Sequence, residues 1–254
     1  MNIKLITLIA AGSGLLLVGC GNDGNSNSNP KVTGTITQIN NNGNNVTVKG
    51  INFDASNAEI DSENSGDLTE GMVVVVDGSV DGNQGVANKI TYDSEVEGVV
   101  TAIDVTAGTM SVMGQLVLLT MDTLYYNDVA DAKELITEDA IMAGNVVEVS
   151  AMPDSNGDLV ASRVVLKADF LADDEEIEIK GYVTNYDGIN TFSINACQIT
   201  TTDMTEYDNI DMLVNDMYVE VKSIGMYVSV DANTCSIEAM EIENEDEYDD
   251  GDNS

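Results

Sequence analysis

The chain has no histidine and no tryptophan, and only two prolines, three cysteines and nine Lys and Arg in 254 residues. Without histidine there is no ordinary general base, no imidazole metal ligand and no Ser-His or Cys-His pair. Without tryptophan the best stacking and cation–π platform is missing. Nine basic residues against 45 acidic ones leave a formal charge of −36. That balance excludes most nucleic-acid binding, because affinity for a phosphate backbone rests on clustered Lys and Arg. A nucleophile would need an activating neighbour, and Cys197 and Cys235 have none in sequence. Carboxylates are so plentiful that no pair stands out for glycoside chemistry. Catalysis is not expected. What is present is 43% hydrophobic residues, enough to bury a core despite the charge.

The amino terminus reads as an address. Lys4 precedes an apolar run, Leu5 to Val18, broken only by Thr7, Gly12, Ser13 and Gly14. The run falls short of the roughly 20 apolar residues of a membrane span and fits a secretory signal over residues 1–19. Leu17-Val18-Gly19-Cys20 resembles the bacterial lipobox, which makes Cys20 the expected lipid-attachment residue and the membrane the first expected partner. Buried acyl chains hold at about 0.8 kcal/mol per CH₂. Gly21 stands where an Asp would resemble an inner-membrane retention signal, so the outer membrane is favoured, on its periplasmic or surface face. Residues 20–30 are polar and form a flexible tether. With Cys20 lipidated, Cys197 and Cys235 are left as an even pair, and an oxidising envelope invites a disulfide between them. Closing that loop would stabilise by about 4 kcal/mol and would pin an extra segment of the chain's last third.

Internal repetition governs the rest. Val32-Thr-Gly34-Thr-Ile36-Thr37 matches Val96-Glu-Gly98-Val-Val100-Thr101 and Ile179-Lys-Gly181-Tyr-Val183-Thr184. Gly50, Gly114 and Ala196 then close related second strands. Gly71-Met-Val73, Gly144-Asn-Val146 and Asp216-Met-Tyr218 open a later one, and Val86 to Ile90, Val160 to Val164 and Glu238 to Ile242 close each copy. The internal period is two, as in half-buried strands. Gly34, Gly98 and Gly181 suggest a bend or bulge. One helix is expected, capped by Asn127 or Asp128, with Val129, Ala132, Leu135 and Ile136 on one face; poorer versions fall near Ser62–Glu70 and Met204–Leu213. The expected fold is all-β with minor helix: three tandem OB-like five-stranded small β-barrels at residues 31–93, 94–168 and 177–243. An SH3-like barrel is the competing arrangement. An acidic linker, 169–176, separates the second and third repeats, and residues 244–254 form an acidic tail expected to be disordered.

The opening Gly-Xaa-Val-Thr strand, the Gly144 to Val149 strand and the Gly157 to Val164 ending resemble a bacterial envelope family, domain of unknown function 5666. The middle copy fits best. The first has Val75 in place of the strand-four Glu, and the third carries an insertion before its last strand. The resemblance implies an OB-like fold in a secreted or lipoprotein setting and brings no activity and no functional residues.

Acidic loops raise the question of Ca²⁺, which takes six to eight oxygen ligands. Asp154, Asn156 and Asp158 have calcium-loop composition but lack the full motif, with Val165 at its twelfth position, and lie where a hairpin turn is required. They are weak metal candidates, and no other cofactor is expected. Met110, Met113 and Met121 read as core filling, with Met110 and Met113 on opposite faces. Tyr125, Tyr126, Tyr182, Tyr186, Tyr218 and Tyr227 would suit either a glycan platform or the core. The expected function is non-catalytic: a lipid-anchored envelope module that binds or scaffolds, its partner a neutral glycan or an envelope protein. The alternative is a Ca²⁺-dependent structural or adhesive surface protein.

Overall fold

A computed structural model describes residues 30–40, 43–62, 67–129, 134–155, 158–231 and 234–245. Cys20, the signal segment and most of the tether lie outside them, as do Asn156, Ala132 and the tail from Asp246. In repeat 1, β1 (Lys31–Asn40), β2 (Asn45–Val48), β3 (Ile51–Asp54), β4 (Glu59–Ser62), β5 (Val73–Asp81) and β6 (Gln84–Tyr92) follow in order. Antiparallel pairs β3–β2, β2–β1, β1–β5 and β5–β6 are closed into a circuit by a parallel pair, β3 with β6. Repeat 2 places β7 (Val96–Asp104), β8 (Thr109–Val112), β9 (Gln115–Leu118), β10 (Leu124–Asn127), β11 (Glu134–Leu135), β12 (Val146–Pro153) and β13 (Leu159–Ala168) in the same circuit, β9 running parallel to β13.

Repeat 3 comprises β14 (Glu176–Tyr182), β15 (Thr191–Ile194), β16 (Cys197–Thr200), β17 (Glu206–Asp208), β18 (Tyr218–Ile224), β19 (Val228–Val230), β20 (Cys235–Glu238) and β21 (Glu241–Asn244). Here the last two barrel strands are each split, and a single bridge, Thr184 to Ser193, joins the first strand to the second. Five strands in this order, with the third parallel to the fifth, make each repeat an OB-like barrel.

Where a helix was expected, each repeat instead lays a short strand parallel to the free part of its last strand: β4 on β6, β10 on β13, β17 on β21. Of the residues expected to form the helix, Asn127 ends β10 and Glu134–Leu135 form β11, while residues 130–133 lie outside the described residues. The Asn127 Oδ1 does accept the Val129 N–H at 3.0 Å, as a cap would. Leu135 nevertheless pairs with Tyr126 in β11 and points to solvent. A helix of this length is marginal on its own, and strand pairing satisfies the same backbone groups. Helical structure among the described residues is confined to short turns such as Glu138–Ala140 and Gly225–Tyr227.

The matched glycines have a packing reason. A Cβ on Gly181 would lie 2.6 Å from the Ile194 Cγ2, one on Gly98 would overlap Met113, and one on Gly34 would press on Lys49. Gly therefore makes room for a side chain at or beside the turn between the second and third strands. The expected bulge falls just beyond the glycine in repeats 1 and 2, between Ile36 and Gln38 and between Val100 and Ala102. The second matched set, Gly71, Gly144 and Asp216, sits at φ +91°, +96° and +71°, the left-handed region that favours Gly. In every copy its N–H bonds the first strand: Gly71 to Ile36 O, Gly144 to Val100 O, Asp216 to Val183 O.

Met113 adopts φ +47° and folds inward, so Met110 and Met113 are both core residues rather than opposed across a strand. Met121, by contrast, is fully exposed, because it occupies the tip of a turn in which Thr123 caps the Thr120 N–H at 2.9 Å. Repeat 1 has its own core around Phe53 and Ile90. Repeats 2 and 3 share a single core from Val96 to Ile242, because β7 pairs antiparallel with β14 through Val96–Ile179 and Glu97–Glu178.

Candidate functional site

The shared sheet β13-β12-β7-β14-β18-β21 has one aliphatic face and one charged face. Alternation along each strand sends Val149, Val96, Ile179 and Val221 into the core, while Glu148, Glu97, Glu178, Lys180 and Glu220 share the opposite face. That charged face is not solvated. Glu97 is 3% exposed, Glu148 and Glu178 4%, Lys180 6% and Glu220 1%. Four of the nine basic residues, Arg163, Lys167, Lys180 and Lys222, are gathered there.

The linker between repeats 1 and 2 lies across this face, and four successive side chains each take a partner. The Tyr92 hydroxyl donates to Glu148 and lies 3.0 Å from Ser150 Oγ. Asp93 pairs with Lys180. Ser94 donates to Glu178 at 3.2 Å, and Glu95 accepts from the Tyr218 hydroxyl at 3.0 Å. The Glu95 N–H also bonds Val149 O at 2.9 Å. A four-residue linker thus fastens repeat 1 to the other two.

On the repeat 2 side, Arg163 Nη1 meets Glu148 Oε1 at 2.7 Å, and Lys167 reaches Glu148 Oε2 at 3.2 Å. The guanidinium lies 5.9 Å from the Tyr92 ring centre and 5.5 Å from that of Tyr126, within cation–π range. Burial raises the Glu148 pKa, but Arg163 and Lys167 outweigh it and hold the carboxyl below its usual range. Glu97, opposite Glu148 in register, is pushed up to about 8 by burial, with Lys167 only partly opposing. On the repeat 3 side, Lys180 lies 3.1 Å from Glu220, and Lys222 2.8 Å. Burial, then the charge of Glu220, raises the Glu178 pKa far above the carboxylate range. Burial also lowers the Lys180 pKa, but Asp93 and Glu220 reverse this and keep it charged. Within this buried carboxyl pair the proton is held more tightly by Glu178 than by Glu220, which Lys180 and Lys222 keep lowered.

These residues occupy matched repeat positions. Glu148 corresponds to Val75 and Glu220, and Arg163 to Lys89 and Glu241. Repeat 2 has the cross-strand pair, repeat 1 has no acid at that position, and in repeat 3 Glu220 is met instead by Lys180 on β14 and by Lys222 on its own strand β18. The seam neutralises buried charge by pairing and joins the three barrels through these contacts.

Cys197 and Cys235 are disulfide-bonded, with Cα atoms 4.5 Å apart. Cys235 does not lie in an inserted segment: it begins β20, the final barrel strand, in register with Cys197 on β16. The bridge therefore clamps the parallel pair that closes barrel 3. The insertion is the Gly225–Tyr227 turn, held by the acidic linker through Gly225 N–Glu175 O and Met226 N–Asp173 O, at 2.8 and 2.9 Å. Asp154 and Asp158 close a hairpin, with N–O distances of 2.9 and 3.1 Å. Of the tyrosines, Tyr125 is core, Tyr126 flanks Arg163, and Tyr182 and Tyr218 stack edge to face at 5.0 Å. Tyr182 and Tyr227 are exposed and Tyr186 half-buried, so no single tyrosine platform exists among the described residues.

The fold and the seam define a tandem array of OB-like barrels joined into one body. A family described as Domain of unknown function (DUF5666) matches residues 33–91, 97–165 and 180–236, and the chain belongs to that family. No curated protein matches it.

Proposed function

We propose that the chain is a non-catalytic, lipid-anchored envelope protein that uses three joined OB-like barrels as a binding scaffold. The carrying observation is the Tyr92–Glu95 linker, fastened at each residue to the sheet of repeats 2 and 3. Fixed relative placement of three barrels lowers the ordering cost of engaging an extended partner at several points. The anchor rests on the Leu17-Val18-Gly19-Cys20 resemblance, with the outer membrane as destination and a neutral glycan or envelope protein as partner. Expression of the wild type and Cys20→Ser in a Gram-negative cell, with mass analysis of the mature terminus and in-cell cross-linking, tests both halves. Acylated Cys20 in the membrane fraction and a discrete cross-linked partner are expected. An unacylated wild-type terminus refutes the anchor, and absence of any discrete adduct refutes the scaffold.

A second reading, a Ca²⁺-dependent structural or adhesive protein, is favoured by Asp208, Glu241 and Glu243, whose carboxylate oxygens lie within 4.8 Å of one another at the edge of repeat 3. A melting temperature that rises with Ca²⁺ and not with Mg²⁺ would promote it; equal effects would leave these acids as surface charge.

A further inference from the structure

The junction between repeats 1 and 2 opens on one side into a cleft of about 730 Å³, inside the roughly 300–1,000 Å³ range of ligand sites. One wall is the β1 bulge of repeat 1 with Glu70 and Gly71. The other is the β12–β13 hairpin of repeat 2 with the Thr120–Leu124 turn. The hairpin joining strands four and five is also one of the loops OB barrels use for ligands. Its walls are set without a ligand: Ser162 Oγ donates to Gly71 O at 2.6 Å, Asp154 and Asp158 close the hairpin, and Thr123 caps the Thr120 turn.

The lining chemistry selects the occupant. Leu124, Met152 and Val160 supply a half-buried aliphatic floor. Glu70, Asp122 and Asp154 stand on both walls, and among the described residues neither Lys, Arg nor any aromatic residue lines the cleft. An anionic ligand would meet like charge at each rim. A glycan would find no ring to stack on, whereas an extended segment alternating basic and aliphatic side chains presents ammonium groups to the carboxylates and methyls to the floor. We propose that this cleft binds an extended basic peptide segment of a partner protein. The proposal rests on the scaffold reading above and names its site and the chemistry of its partner.

The test titrates the purified full chain with a fluorescent six-residue peptide of alternating Lys and Val, at low and at physiological salt. A Glu-Val and a Ser-Val peptide, and a neutral hexasaccharide, serve as comparison probes. Two charge-matched variants are compared: Glu70→Lys/Asp122→Lys in the cleft, and Asp203→Lys/Glu206→Lys on the exposed surface of repeat 3. Saturable binding of the Lys-Val peptide is expected, weakened about tenfold by the cleft pair and changed less than about twofold by the distal pair. Equal weakening by both pairs would reduce the binding to net charge and overturn the proposal, as would equal binding of the Glu-Val or Ser-Val peptide. Hexasaccharide binding that ignores the cleft pair, with no saturable peptide binding, would overturn the cleft and leave the scaffold reading standing. No saturable binding of any probe would count against both.

Discussion

Replacing Arg163 by Met should be among the most damaging single changes in the seam. Arg163 is 8% exposed and its guanidinium supplies the 2.7 Å contact to Glu148, so its loss leaves a buried carboxylate short of a partner. Breaking a buried pair commonly costs about 3–5 kcal/mol. Lys167 still stands 3.2 Å from the other Glu148 oxygen, which places the expected loss at the lower end, about 3 kcal/mol. For a chain of this size that corresponds to a fall in melting temperature of about 6–12 °C. The double variant Glu148→Val/Arg163→Met should recover part of it, because the buried carboxylate is removed with its partner and Lys167 keeps only Glu97 at 3.9 Å. Val75 at the matched position of repeat 1 indicates that this site on strand four accepts an aliphatic side chain. Urea titrations followed by circular dichroism give the comparison. A single variant within about 1 kcal/mol of wild type, or a double variant as unstable as the single, would refute the reasoning.

The acids of the seam make stability depend on pH in a stated direction. Glu97, raised to about 8, and Glu178, raised further, hold protons more tightly folded than unfolded. Their contribution is full below the ordinary carboxylate value and is lost as pH rises towards the folded values. Glu148 and Glu220 are lowered and act oppositely, losing their contribution on acidification. Melting temperature should therefore peak near about pH 5 and fall towards pH 9; a rise over that interval would contradict the assignment. Reducing the Cys197–Cys235 bridge, which spans 38 residues, should cost about 4 kcal/mol. Thermal melts with and without reductant check this, and native alkylation of both thiols in unreduced protein would refute the bridge. Gly98→Ala must displace the buried Met113 and should destabilise by about 1–3 kcal/mol. Gly43→Ala, with open space but φ +90°, should lose less, about 1 kcal/mol, and the order of the two in one denaturation series is the check.

The triplication and the OB-like strand order were legible because period-two alternation and the matched Gly positions recur in the same order three times. The inserted strand β4, β10 and β17 was not: Val129, Leu135 and Ile136 satisfy a helical spacing, and only the free edge of the following strand decides otherwise. The seam was half legible. Alternation in Glu176 to Lys180 and Val146 to Ser150 assigns the charged residues to one face, but an isolated strand carries no sign that a linker will cover that face. One signal was available: a chain with nine basic residues places Arg163, Lys167, Lys180 and Lys222 inside its barrel strands rather than in its loops. The cleft belongs to two repeats at once and leaves no local pattern, since Glu70 and Asp122 are 52 positions apart in the chain.

The Tyr92–Glu95 linker holds repeat 1 to the shared sheet, and amide hydrogen exchange reads that segment directly. The Glu95 N–H, bonded to Val149 O, should be protected as strongly as the amides of β7 and β12 and should open only with them. Exchange of Glu95 at the rate of an unstructured peptide, while β7 and β12 stay protected, would contradict the claim that the three barrels form one body.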